Sequence, residues 1–312
     1  MGFHYSVMLT ETISLLDLKE NGIYVDLTLG RGGTSSAILH HIPHGHLYSF
    51  DLDEEAITES QERLASVGTN FTILHANFRD FVSRLKEIGV KEVDGITADL
   101  GVSSPQFDEA ERGFSYREDA PLDMRMNQES SVTTEQIVNQ YSYEQLRDVF
   151  EKYGEDPYSK AIALAIVKER EKKPILTTGE LVDLIKRVKP AKERMKKGHP
   201  AKQIFQALRI EANQEMDNLK QMLDSFDSIL KPGGRIAILT FQSLEDRMVK
   251  DKFRSLTVVE GSREGPDLLP EELPEAPYLA LTRKPIVASE KELSENHRSK
   301  SAKLRAIQKK QK

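Results

Sequence analysis

The first hundred residues alternate between short apolar runs and amphipathic stretches with a regularity that few folds allow. "GIYVDLTLG" (22–30) is a buried strand ending in glycine, and "TSSAILHHI" (34–42) opens a helix with Thr34 or Ser35 as its cap. "GHLYSFDLD" (45–53) and "EEAITESQERLASV" (54–67) repeat the pair, as do "FTILHANF" (71–78) and "DFVSRLKEIG" (80–89). "VDGITADLG" (93–101) is a fourth strand. Such alternation requires right-handed crossovers, hence a parallel sheet with helices on both faces, and places the chain in the α/β class.

The pattern then stops. Between 108 and 200 no strand is expected; "TTEQIVNQY" (133–141), "SYEQLRDVFEKYG" (142–154), "PYSKAIALAIVKEREKK" (157–173) and "TTGELVDLIKRV" (177–188) are helical by spacing, several with Thr or Ser starts. One long helix over 201–230 leads into "KPGG", and strands resume at "GGRIAILTF" (233–241), "LTVVEG" (256–261) and "YLALTRKP" (278–285), the last two fitting an antiparallel pair. The expected organisation is a discontinuous α/β domain over 1–107 and 201–290, a helical insert over 108–200, and a basic tail over 291–312.

Several chemistries are excluded. Cysteine is absent from the 312 residues, which removes disulfides, thiolate metal sites and a covalent cysteine nucleophile. No run of ~18 apolar residues is present, and the start lacks a basic, apolar leader, so a cytoplasmic chain with no membrane partner is expected. The histidines at 40, 41, 44 and 46 have no zinc-motif spacing and are expected to form a solvated turn, so no metal is expected. The net charge of −6 argues against nucleic acid on average, but "KRVKPAKERMKKGHPAK" (186–202) and "HRSKSAKLRAIQKKQK" (297–312) are strongly basic.

The glycines of "DLTLGRGG" (26–33) do not fit the G-x-G-x-x-G spacing of a dinucleotide fold. They do fit a turn against S-adenosylmethionine, which carries no phosphate: Asp26 stands on strand one, Gly30 and Gly32 follow, and Thr28 occupies a position where glycine is common. Asp51 ends strand two, where a carboxylate can accept both ribose hydroxyls, and "ANF" after strand three offers an amide and the Phe78 ring to an adenine. Beyond strand four, "DLGVSSPQFD" (99–108) places Asp99 and nearby carbonyls where they can accept hydrogen bonds from an exocyclic amine and aim its lone pair at the methyl group. Without cysteine, carbon-5 methylation of a pyrimidine by the usual route is excluded; nitrogen and oxygen methylation stay open.

Taken in order, "HYSVMLTE", "DLTLGRGG", "FDLDEEAI", "DGITADLGVSSPQFDEAERGFSYREDAPLDMRM", "HPAKQIFQALRIEAN", "GGRIAILTFQSLEDRMVK", "LTRKPI" and "NHRSKSAKLR" resemble the motifs of the bacterial 16S ribosomal RNA cytosine-N4 methyltransferase family (RsmH/MraW) across nearly the whole chain. The resemblance implies a Rossmann-like class I methyltransferase with an inserted helical domain. Its cofactor would be S-adenosylmethionine, and its substrate the exocyclic amine of a cytosine in 16S rRNA of the small ribosomal subunit. It further implies that Gly32, Gly33 and Thr34 meet the methionine end of the cofactor, that Asp51 holds the ribose, and that Phe78 lies along the adenine. Asp99 and Gln106 would lie nearby and position the substrate. Asp123, Arg125, Glu245, Asp246 and Arg247 belong either to the chemistry or to ion pairs bracing the insert, and Phe107, Phe114 or Tyr116 could stack on the target base. The chain departs from the family in carrying Thr34 and Gln242 where histidines are usual, which leaves only hydrogen bonding at two positions that could otherwise exchange protons. The other classes of function are a non-catalytic ribosome-assembly factor that binds S-adenosylmethionine and a methyltransferase for a different RNA or a protein.

Overall fold

The computed structural model describes residues 6–101, 109–259 and 275–311. The chain divides into two compact units, residues 1–101 with 217–312, and residues 102–216. These bounds differ from those expected, 107/108 and 200/201; the second moves because the helix Lys202–Asn213 lies wholly in the helical unit.

In the first unit, α1 (Leu9–Leu16) precedes β1 (Ile23–Asp26), α2 (Gly33–His41), β2 (His46–Asp51), α3 (Glu54–Ala65), β3 (Phe71–His75), α4 (Phe81–Glu87) and β4 (Val93–Asp99). β5 (Leu230–Thr240), α12 (Ser243–Thr257), β6 (Tyr278–Ala280), β7 (Ile286–Val287), α13 (Glu290–Glu295) and β8 (Lys303–Lys309) complete it. The sheet runs β3-β2-β1-β4-β5-β8-β6, with β7 also paired to β8. β1 to β5 are mutually parallel, while β8 lies antiparallel to β5 and β6. This is the Rossmann-like order of a class I methyltransferase. Tyr24, Ile38, Leu39, Leu47, Leu64, Leu239 and Leu304 share one buried cluster, so the apolar runs read from the sequence bury against the helices that connect them. Three of the parallel strands, β1, β2 and β4, end on an aspartate, and their shared direction carries Asp26, Asp51 and Asp99 to one edge.

Three expectations change here. "LTVVEG" is no strand in its described part, because α12 continues to Thr257 with Val249 and Phe253 buried one turn apart; residues 260 and 261 lie outside the described residues. The antiparallel partner of β6 is β8 instead. The segment from 291 is therefore not a tail: Leu304, Ala306 and Ile307 are buried beside β5. Four of its cations are paired with carboxylates, Arg305 and Lys303 with Asp246, Lys309 with Asp227, and Lys310 with Glu275. "KPGG" begins inside β5 as an irregularity, since Val93 faces Leu230 while Gly95 faces Arg235, and Gly233 takes φ 81° where the extra residues loop out.

The second unit contains α5 (Thr134–Gln140), α6 (Tyr143–Val149), α7 (Ser159–Arg170), α8 (Thr178–Val188), α9 (Ala191–Arg194) and α10 (Lys202–Asn213). Thr133, Ser142 and Thr177 each close a capping box with the Gln or Glu three residues on, which is why these helices start where the sequence suggests. Among the described residues the only β pairing in this unit is the isolated bridge Pro121–Thr177. α6 ends in a π-helical turn over Phe150–Gly154, where Gly154 is required: a Cβ there would stand 2.9 Å from the Gln203 carbonyl of α10. The single helix expected over 201–230 is instead α10 and α11 (Glu215–Ser225), interrupted at Gln214, which adopts φ 52°.

Candidate active site

The edge where β1, β2 and β4 end is built around the turn after β1. Gly30 (φ 49°) and Gly32 (φ 71°) both take left-handed conformations, which glycine adopts without the usual steric cost. A Cβ on Gly33 would lie 2.2 Å from Ser6 Oγ, so Ser6 packs against the first turn of α2 only because this residue has no side chain. The backbone N–H groups of Gly33, Thr34 and Ser35 have no partner among the described residues, as expected for a helix start with no side-chain cap. Beneath them, Asp26 Oδ2 accepts a hydrogen bond from Ser35 Oγ at 2.7 Å, and Asp26 Oδ1 accepts one from the Thr28 N–H at 3.2 Å. Burial pushes the Asp26 carboxyl up to about 6, against the opposing effect of those two bonds.

Asp51 differs in detail from its expected part. Its Oδ2 accepts from the Gly30 N–H at 2.7 Å, and its Oδ1 from the N–H groups of Leu52 and Asp53 at 2.8 and 3.0 Å. A carboxylate has about four acceptor directions, so three are already used for holding the glycine turn and the start of α3. About one remains, enough for a single hydroxyl rather than two. The Ala76 N–H donates to the Asp51 carbonyl, which brings Asn77 and Phe78 alongside; Asn77 Oδ1 caps the short turn that Phe78 opens, and the Phe78 ring is half-buried.

Asp99 ends β4, and its N–H donates to Thr28 Oγ1 at 2.6 Å. The hydroxyl at 28 therefore ties the turn after β1 to the end of β4. Burial pushes the Asp99 carboxyl up to about 8, with the negative charges of Asp26 and Glu245 adding to the shift. Glu245 comes from the first turn of α12, where its Oε2 accepts from the N–H groups of Phe241 and Gln242 at 3.0 and 3.2 Å. Gln242 Nε2 donates to Glu245 Oε1 at 2.8 Å. The amide that stands in place of a histidine therefore fixes a carboxylate.

The structure thus places Gly32, Gly33, Thr34, Asp51, Phe78 and Asp99 in one unit, on the turns that follow four neighbouring strands. Gln106 and Phe107 lie outside the described residues. Thr28 and Ser35 are not among the expected site residues, although the hydroxyl at 28, unusual for such a turn, gave a signal in the sequence; Glu245 is expected only as a residue of either the chemistry or an ion-pair brace. Asp246 is one of the ion-pair residues: it joins α12 to β8 through Arg305 and Lys303. Asp123 and Arg125 form a two-pronged ion pair within the helical unit, at 2.7 and 2.8 Å, while Arg125 Nη1 donates to the carbonyls of Gln128 and Ser130. Phe114 is buried, and Tyr116 stacks on His199 with ring centroids 4.4 Å apart.

The donor set suits a ligand with both charge signs. Free N–H groups at the start of α2 suit a carboxylate, whereas the acidic edge from Asp26 to Asp99 suits a cationic centre, and Phe78 offers a flat face to an aromatic base. Among the described residues no group of His, Asp and Glu is arranged to hold a metal ion, and no helix is long and apolar enough to cross a membrane.

A sequence model of the MraW methylase family matches residues 1–310. Among solved structures, the chain is similar to an rRNA methylase from Streptococcus thermophilus, at 12% identity over 97% of this chain and 92% of that one, with a TM-score of 0.38. It is also similar to TrmN from Thermus thermophilus, at 13% identity over 97% of this chain and 48% of that one, with a TM-score of 0.42. The match to the family, which spans nearly the whole chain, is the one that assigns it.

Proposed function

The chain belongs to the MraW methylase family and is a methyltransferase whose cofactor is S-adenosylmethionine, and we propose that it methylates the exocyclic N4 amine of a cytosine in the 16S rRNA of the small ribosomal subunit. The observation that carries this reading is the position of Asp99: a carboxyl group at the end of β4, on a residue whose backbone N–H donates to Thr28 in the turn after β1.

When bound, S-adenosylmethionine supplies a methyl carbon activated by its sulfonium. Gly33, Thr34 and Ser35 would hold its carboxylate through their N–H groups, Asp51 one ribose hydroxyl, and Phe78 the adenine. Asp99 accepts N–H bonds from the amine and holds its lone pair in line with that carbon. The bound cofactor would supply the methyl group for the new N–C bond, and its sulfur would keep the electron pair of the C–S bond. The nitrogen then sheds a proton, and a carboxylate with the raised basicity of Asp99 is suited to take it. A proton lost after transfer requires no histidine at 34 or 242.

Unmodified small ribosomal subunits incubated with labelled S-adenosylmethionine test the reading. The expected result is label in the RNA, recovered after digestion as N4-methylcytidine, with none in large subunits. Label in protein, or in a different nucleoside, contradicts it, and cofactor binding without transfer points to the assembly factor.

A further inference from the structure

The helical unit presents a built aromatic pair that the chemistry of the first unit does not use. His199 and Tyr116 are stacked, with centroids 4.4 Å apart and planes 13° from parallel, and Phe205 meets Tyr116 edge-on at 5.8 Å. The imidazole is fixed from both sides of the chain. Its Nδ1 accepts from the Ala201 N–H at 3.2 Å, at the start of α10. The next carbonyl, of Pro200, accepts from the buried Lys189 ammonium at 2.7 Å, and that ammonium is itself paired with Asp156.

With Nδ1 as acceptor, Nε2 carries the ring proton and has no partner among the described residues. Burial, with the positive charges of Lys186, Arg117 and Lys189 around it, lowers the His199 pKa and keeps the ring neutral at pH 7. Lys189 is committed to Asp156, whereas Arg117 and Lys186 have no acidic partner among the described residues. Both rings are half-buried, so part of each stays open to solvent.

A rigid, neutral aromatic stack flanked by uncommitted cations has the chemistry of a single-stranded nucleic-acid site, in which base faces meet aromatic faces and cations follow the phosphates. We propose that the Tyr116–His199 stack is a landing platform for an unpaired base of the RNA substrate, with Arg117 and Lys186 taking the flanking phosphates. This rests on the RNA reading above and extends it to a base held in the helical unit. The basic stretch at 186–202 gains a geometric role from it, where its sequence shows only charge.

The test uses the full chain and unmodified small ribosomal subunits, with affinity followed against salt. His199→Ala is expected to weaken binding by about ten- to a hundredfold with the salt slope unchanged, because stacking is removed and the phosphates stay neutralised. His199→Phe, which keeps a stacking face, is expected to restore most of that affinity. Arg117→Gln with Lys186→Gln is expected to flatten the slope by about 0.7 for each phosphate no longer neutralised. Binding by His199→Ala equal to the parent chain, or a His199→Phe variant as weak as His199→Ala, overturns the platform. In those cases RNA methylation by the parent chain shows that the RNA reading itself stands. A parent chain that methylates no RNA removes that reading, and the platform with it. Thermal melting of each variant identifies one that fails to fold, in which case the His199→Phe and double-Gln measurements still decide.

Discussion

Asp99→Ala is expected to lose methyl transfer by about a hundredfold or more while the protein becomes more stable. The rate loss follows from orientation: the amine keeps its nucleophilic nitrogen but loses the acceptor that aims it, and misplacement of about 1 Å costs on that scale. The gain in stability follows from the pKa. In the folded chain the Asp99 carboxyl is pushed up to about 8 by burial first and then by Asp26 and Glu245, whereas an unfolded aspartate titrates near ~4. Between these values the folded state holds a proton that the unfolded state has lost, so this group makes stability fall as pH rises from about 4 to 8. Alanine removes that effect. Since Asp99 is partly open to solvent, the gain is discounted to about 1–2 kcal/mol at about pH 8, a rise of a few degrees in Tm. Melting curves at about pH 6 and about pH 8 beside single-turnover rates check both halves. Unchanged turnover, or lower stability at the higher pH, contradicts the assignment.

The opposite outcome is expected at Asp246, whose carboxylate is held in ion pairs. Its carboxylate accepts from Arg305 Nε at 2.7 Å, Arg305 Nη2 at 3.3 Å and Lys303 Nζ at 3.1 Å, and both Asp246 and Arg305 are buried. Asp246→Ala leaves the guanidinium buried without its partner and is expected to cost about 3–5 kcal/mol. Replacing the pair together, Asp246→Leu with Arg305→Met, is expected to cost much less, since no charge is then stranded. Burial raises the Asp246 pKa, but the hydrogen bonds from Arg305 and Lys303 outweigh it and hold the carboxyl below its usual value. The stabilisation is therefore present above the unfolded value near ~4 and is lost as pH falls through the depressed folded value. Urea midpoints at about pH 7 for the single and double variants check this, and equal losses in the two would contradict it.

The elements that could be read from the chain were those whose burial follows a short period. Strand–helix alternation up to residue 101 is set by local apolar spacing, and the helix starts at Thr133, Ser142 and Thr177 by side chains that bond their own backbone. The errors fall where the deciding partner is distant in sequence. "SAKLRAIQKK" reads as a basic tail because lysine and arginine recur through it, yet it is a strand because β5 needs a neighbour and Asp246, Asp227 and Glu275 neutralise the charge. "LTVVEG" has strand propensity, and the packing of α12 overrides it. In the site, the residue types after each strand were legible, because a shared strand direction brings them to one edge. How much of Asp51 the backbone already uses was not, since that depends on where the N–H groups of Gly30, Leu52 and Asp53 point.

Asp99, protonated in the free protein near neutral pH, must meet the amine as a carboxylate, and so give up its proton when the cationic cofactor binds. Calorimetric titration with S-adenosylmethionine at about pH 7, in two buffers of different ionisation enthalpy, tests it directly. At that pH the Asp99 carboxyl, pushed up to about 8, holds its proton in most molecules. A cation bound beside it favours the charged form, so binding is expected to release a proton to the buffer. The release is expected to vanish in Asp99→Ala and to fade well above about pH 8. Binding without proton release near neutral pH, or the same release from Asp99→Ala, would contradict the account.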